Sequence, residues 1–297
     1  MVVHPIVAQS GKSARLSLFS SRGMLRVPSS MPRKKTDTTV IQERDHHLLR
    51  ELSVMRVIDR EQAKIICGFG SISRVNRRLL ALTQAKLLKR IFMGGPAWKK
   101  SFYFLSSLGA KLVGTDHVLR RRNNEFVTSD YFLPHQLAIN SVYCAAKYRP
   151  HPPEGISVIR HDSFYLPIDA HRSLIPDRYL EFSIPEGTLP AFLEVDLGNE
   201  SLRTWRSKVE KYLRYAISHD FERTFGHPAF RVLAVTNSEG RTRALRRATL
   251  EVTNKLFWFT TLDAIRWSGF WSRIWLRPGA REGEPLPLVS SVADRRT

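Results

Sequence analysis

Four side chains in the second half of the chain could do chemistry together: Asp177, Glu194, Asp196 and Lys208. Glu194 and Asp196 lie two apart in Phe192-Leu193-Glu194-Val195-Asp196. On a strand, positions two apart point to the same side. Asp177 follows Pro176 and can join them from a neighbouring strand. Clustered carboxylates repel one another unless a cation neutralises them. A hard divalent ion such as Mg²⁺ is the natural candidate, held by Asp177, Glu194 and Asp196. In a basic protein such an ion could activate water against a phosphodiester. The helix that follows carries Leu202, Trp205, Val209, Leu213 and Ala216 on one face, with Lys208 and Tyr212 flanking it. Lys211 points nearly opposite, so Lys208 is the lysine placed to reach a site between helix and sheet. Glu200 can add another carboxylate. A blander reading competes: Asp196 and Glu200 cap the helix, Lys208 pairs with a surface acid, and nothing is catalysed. The residues alone leave both open.

The elements that must position this set follow from periodicity. Stretches 156–160, 174–183 and 191–197 read as strands, 201–218 as a helix, 230–236 as a strand, 241–256 as a helix and 257–261 as a last strand. That order indicates an α/β layer with a mixed sheet. Upstream, apolar residues at helical spacing (Leu48, Leu49, Leu52, Met55) predict a helix over 40–54. Asp59 with Gln62 three residues on resembles a capping box and opens a second helix, which stops near Gly68-Phe69-Gly70. Ser71 starts a third over 72–83. A hairpin follows, 87–92 and 101–105 around Gly94-Gly95-Pro96. Three helices and a basic-tipped hairpin are the order of a winged helix-turn-helix.

The third helix gathers Ile72, Val75, Leu79 and Leu82 on one face and Ser73, Arg74, Arg77, Arg78 and Ala81 on the other. The apolar face docks the helix. The Ser and Arg face suits a major groove, where Arg reaches guanine edges and phosphates. Trp98, Lys99 and Lys100 at the hairpin tip suit phosphates beside it. Taken alone, such a face is usually just solvated. The charge favours DNA as partner: 47 Lys and Arg against 27 Asp and Glu give a formal net charge of +20. Further on, 106–114 reads as a short helix, Arg120-Arg121-Arg122 as a basic linker, and Pro134 opens a helix over 135–147. The expected layout is α+β overall: a disordered basic tail over 1–38, a DNA-binding domain over 39–125, an α/β domain over 130–278 and a disordered tail over 279–297. The first 38 residues resemble a transit peptide in composition, or lie upstream of a start at Met24 or Met31; a disordered tail is favoured.

Several classes are excluded. Cys67 and Cys144 are isolated thiols, without zinc-site spacing, and suit a reducing cytoplasm. No apolar run reaches the roughly 18 residues of a membrane span. There is no P-loop and no G-x-S-x-G. His46, His47, His161 and His171 lack metal-helix spacing and read as packing or surface residues. Trp267, Phe270, Trp271 and Trp275 read as core ahead of a single-strand stacking segment.

The hairpin-tipped helices, Leu133-Pro134-His135-Gln136-Leu137-Ala138-Ile139-Asn140, Pro176-Asp177, and the Glu194-x-Asp196-x-Gly198-x-Glu200-Ser201 run with Trp205, Lys208 and Tyr212 together resemble the replication-relaxation family. That resemblance covers about residues 40–260 and implies a DNA-binding protein of plasmid or mobile-element replication or mobilisation. The Pro-Asp…Glu-x-Asp pattern is also similar to the PD-(D/E)XK nucleases. On that pattern Asp177 and Glu194 hold the metal. Asp196 stands where the usual Lys would be, so the ammonium must come from Lys208, or the domain is a scaffold that does not cleave. Mg²⁺ is implied only if the site is active. Partners expected are DNA, a second copy of the chain, or replication and mobilisation proteins, and no membrane. The alternatives are an active Mg²⁺-dependent endonuclease, favoured if Lys208 lies within reach of Glu194, and a winged-helix transcriptional regulator, favoured by an apolar pocket or a self-complementary surface.

Overall fold

A computed structural model describes residues 39–93, 100–115, 132–281 and 284–289. The expected tail over 1–38, the Gly94-Gly95-Pro96 turn, Trp98, Lys99 and Arg120-Arg121-Arg122 lie outside the described residues.

The first part runs α1 (Glu43–Met55), β1 (Val57–Ile58), α2 (Arg60–Cys67), α3 (Ile72–Gln84), β2 (Leu88–Met93) and β3 (Lys100–Leu105), with an antiparallel sheet in the order β1-β3-β2. Local chemistry sets the boundaries. The Asp59 carboxylate accepts the Gln62 amide at 2.9 Å and starts α2; Gly68, at φ 63, ends it in the left-handed region that a β-carbon would disfavour. The Ser71 hydroxyl accepts the Arg74 amide and starts α3. Val75, Leu79 and Leu82 of α3 are buried in one cluster with Leu48, Leu49 and Leu52 of α1. Strand β1 is too short to show an alternating pattern and was not expected.

After α4 (Ser107–Leu112), helix α5 (Phe132–Lys147) begins three residues before its predicted start. Pro134 falls in its first turn, where a missing N–H costs nothing. Helix α5 ties the two halves together. The Asn140 side chain donates to Met55 O at 3.0 Å and Val57 O at 2.6 Å, and accepts from Arg178 at 3.0 Å. Gln62 of α2 donates to Leu137 O at 2.9 Å. One apolar cluster runs from Leu48 and Leu79 through Ile139 and Tyr143 to Leu193 and Trp275, and residues from Thr39 onward form one compact unit.

The second sheet has the order β4 (Ser157–Asp162), β5 (Arg178–Ile184), β6 (Gly187–Asp196), β7 (Arg231–Thr236), β8 (Phe257–Thr261). The first three strands form an antiparallel meander, and β6, β7 and β8 are parallel. The crossovers are α6 (Leu202–Ile217) with the short α7 (Asp220–Phe225), then α8 (Glu239–Leu250); α9 (Leu262–Ser268) follows β8. This is the expected α/β class with a mixed sheet. Leu193 and Val195 face the α5 side, whereas Phe192 packs with Trp205, Val209 and Tyr212 of α6 and Leu245 of α8. No described helix is long and apolar enough to cross a membrane.

Three expectations need correction. Residues 174–177 are not strand: Asp169 accepts the amides of Ser173 and Leu174, both at 2.7 Å, and bends the chain ahead of β5. The helix expected to 256 ends at Leu250. The stretch expected as a tail from 279 is folded in part, because Leu286 pairs with Trp275 and Leu288 is buried in the main core. Of the aromatic residues expected in the core, Phe270 and Trp275 are fully buried and Trp271 is partly buried, whereas Trp267 is exposed.

His161 of β4 stacks on Tyr143 at 4.6 Å and lies 3.9 Å from Glu51. Burial, opposed by Glu51, pushes its pKa down to about 4. The unfolded chain titrates near 6.5. Its contribution is therefore fully present above 6.5 and is lost as pH falls toward 4. Urea denaturation across that range should show this loss, and His161→Gln should flatten it; identical slopes for the two proteins would exclude a neutral buried imidazole.

Candidate functional site

The C-terminal end of β6 is where the side chains expected to do chemistry meet. Strand alternation turns Glu194 toward α6, and helical spacing turns Lys208 and Tyr212 back toward Glu194. Glu194 is 2% exposed. One of its oxygens accepts the Lys208 ammonium at 3.0 Å and the other accepts the Tyr212 hydroxyl at 2.5 Å. Lys208 also reaches Glu200 at 3.3 Å. Lys211 is turned elsewhere, to Ser173 O at 3.1 Å.

Asp177, at the mouth of β5, accepts the Val195 amide at 2.8 Å. Its same oxygen lies 3.3 Å from His135 Nε2, which is itself 2.8 Å from the Val195 carbonyl. His135 comes from the first turn of α5 and was not singled out as a site residue. It lies in the Leu133–Asn140 run noted for its resemblance, and that was its only signal.

The electrostatics follow from burial and a charge sum. Asp177, Glu194 and Glu200 bring three negative charges; Lys208 and His135 bring two positive ones. One negative charge is left over. The excess falls on the most buried carboxyl. Burial first, then Asp177, push Glu194 up to about 7 against the pull of Lys208. Burial works against Asp177 as well, but His135 and Lys208 hold it below its ordinary value. Burial would lower His135, yet Asp177 and the Val195 carbonyl carry it to about 9. Burial also opposes Lys208, and the surrounding carboxylates raise it regardless.

Asp196 shares the strand face of Glu194 but is engaged elsewhere. Arg241, in the first turn of α8, donates to both its oxygens, at 2.9 and 2.6 Å, and the Gly198 amide donates at 2.6 Å. Among the described residues no group of three or more His, Cys, Asp and Glu side chains is arranged to hold a metal ion.

The second expected surface is the outer face of α3. Ser73, Arg74 and Arg77 are exposed there. Arg78 is turned away: it donates to both oxygens of Asp45 on α1, one at 2.7 Å, and to Val40 O. Lys100 lines a groove of about 600 Å³ between α3 and the β2–β3 hairpin, with Arg60, Arg77, Arg90 and Tyr103. Arg90 is held by the Ser101 hydroxyl at 2.7 Å and lies over the Phe92 ring at 4.3 Å.

Searches of curated proteins and of solved structures give no match. A sequence model of the replication-relaxation family matches residues 48–227, from α1 through the whole carboxylate site and α6. That span is more than half of the 297 residues and holds both surfaces, so the chain belongs to the replication-relaxation family.

Proposed function

We propose that this chain is a DNA-binding protein of plasmid or mobile-element replication or mobilisation, whose residues 39–105 act as a winged helix-turn-helix. The observation that carries this reading is the exposed Ser73, Arg74 and Arg77 face of α3 beside a groove lined by Arg60, Arg90 and Lys100. An outward helix face of this kind enters a major groove while the hairpin lies along the backbone. The element order, the net charge of +20 and the family support it. Arg78 takes no part in the contact on this reading; it braces α3 on α1. Partners would be DNA and replication or mobilisation proteins, met in the cytoplasm.

The order of the α/β part, a helix, three antiparallel strands, a helix and a parallel strand, supports a nuclease-like reading, with Asp177 just ahead of β5 and Glu194 near the end of β6. Its donor set does not fit a divalent ion. Both Glu194 oxygens are taken by Lys208 and Tyr212, and Asp196 by Arg241. His135 stands between the Asp177 carboxylate and the Val195 carbonyl, the oxygen pair a hard cation would use. Lys208 and His135 occupy the places a metal ion would take and balance all but one of the carboxylates, and the domain serves as a second DNA or protein contact without cleavage.

One observation favours cleavage instead: Lys208 lies 3.0 Å from Glu194. Supercoiled and linear DNA, incubated with Mg²⁺ or Mn²⁺, should stay intact with the wild type and with Glu194→Ala. Binding should weaken steeply with salt, with a log–log slope of roughly −0.9 per phosphate neutralised. Nicking by the wild type alone would replace the proposal with a metal-dependent endonuclease.

A further inference from the structure

The free face of α3 is not the one that the helical wheel alone gives. On the wheel Arg78 lies beside Arg74, but it is spent on Asp45 and Val40 O, so that flank of the helix is turned to α1. On the other flank Asn76 and Leu80 are exposed, Leu80 to 46%. They lie about 40° apart around the helix axis and about 6 Å apart along it. Both line the groove between α3 and the β2–β3 hairpin. The Asn76 amide has no hydrogen-bond partner among the described residues. Leu80 stands outside the apolar cluster that Val75, Leu79 and Leu82 anchor. In the rest of the groove Arg60 pairs with Glu61 at 3.5 Å and Asp59 caps α2. Arg77 and Lys100 are left without an acidic partner among the described residues.

An exposed amide next to an exposed isobutyl group, flanked by cations, matches A·T pairs in a major groove. The amide of Asn donates to adenine N7 and accepts from its N6 amino group, and an apolar side chain packs on the thymine methyl. An arginine row alone would select guanine. We propose that Asn76 and Leu80 form a second base-reading row on α3, which selects adenine and thymine beside the guanines taken by Arg74 and Arg77. The proposal rests on the winged-helix reading. With α3 lying along the groove, a rise of about 6 Å matches roughly two base-pair steps. The adenine and the thymine then stand about two pairs apart.

Selection of bound duplexes from a randomised library tests this with the full chain, as wild type, Asn76→Ala, Leu80→Ala and Arg74→Ala/Arg77→Ala. The wild-type site should hold an adenine and a thymine about two pairs apart, next to guanine. Asn76→Ala should bind that site about tenfold or more weakly and accept any base in place of the adenine. A duplex with uracil for the thymine lacks only the methyl group. It should bind the wild type about fourfold more weakly, and Leu80→Ala as well as the thymine duplex does. Thermal melts check that the variants are folded. The proposal is overturned if folded Asn76→Ala keeps the adenine preference, or if uracil weakens Leu80→Ala as much as the wild type. Where Arg74→Ala/Arg77→Ala still loses binding, the winged-helix reading survives that result. If the wild type selects no sequence, or if Arg74→Ala/Arg77→Ala binds with unchanged affinity, the winged-helix reading falls and the proposal falls with it.

Discussion

Arg74→Ala combined with Arg77→Ala is expected to abolish sequence-specific DNA binding and leave the fold intact. Both residues are exposed on α3, and neither guanidinium has a hydrogen-bond or ion-pair partner among the described residues. A bidentate arginine on a guanine edge is worth about 1–3 kcal/mol of discrimination, so the pair should cost on the order of a hundredfold or more in affinity. Fluorescence anisotropy at fixed salt measures this; unchanged affinity would sink the assignment of α3 as the reading helix. Arg78→Ala should behave in the opposite way. Asp45 is 1% exposed and would lose its charged partner. Leaving a buried charge unpaired costs about 3–5 kcal/mol. Stability should drop, and binding should follow only through the folded fraction.

Lys208→Ala should be the most damaging single change at the carboxylate site. The cluster would go from a net −1 to −2, with Glu194 still buried. A loss of about 3–5 kcal/mol in chemical denaturation is expected above pH 7, shrinking as acid protonates Glu194. The wild type carries the same logic in milder form. Glu194 is raised to about 7 from an ordinary value near 4.5. Its contribution is therefore fully present below 4.5 and is lost as pH rises through 7. Glu194→Gln lacks that titration. The stability of the wild type relative to Glu194→Gln should fall between pH 5 and pH 8; a pH-independent difference would place the proton elsewhere.

Local rules made much of this site legible. The helical wheel separated Lys208 from Lys211, and the structure sends the first to Glu194 and the second to Ser173. Strand alternation put Glu194 and Asp196 on one face. Neither rule can name a partner distant in sequence. Asp196 was captured by Arg241 and Arg78 by Asp45, both through packing between elements. His135 reaches Val195 across 60 residues for the same reason. The wheel placed Arg78 beside Arg74 and Arg77 correctly as an angle; an acid on α1 decided its role. Two apolar residues set no period, so Leu286 and Leu288 read as tail, yet the backbone of Leu286 pairs with Trp275 and Leu288 is buried in the main core.

Asn140 binds the carbonyls of Met55 and Val57 with one end and Arg178 with the other. The apolar cluster around it runs from α1 to β6 without a break. Chain segments joined by a polar linker ordinarily swing relative to one another; a shared apolar core removes that freedom. On the proposed reading, a duplex docked on α3 would then meet the carboxyl end of β6 at one distance and one rotational phase only. Because B-DNA turns once in roughly 10.5 base pairs, half a turn inserted between the two stretches would present the opposite side of the helix. The molecule would thus gauge the spacing of its target as well as its sequence.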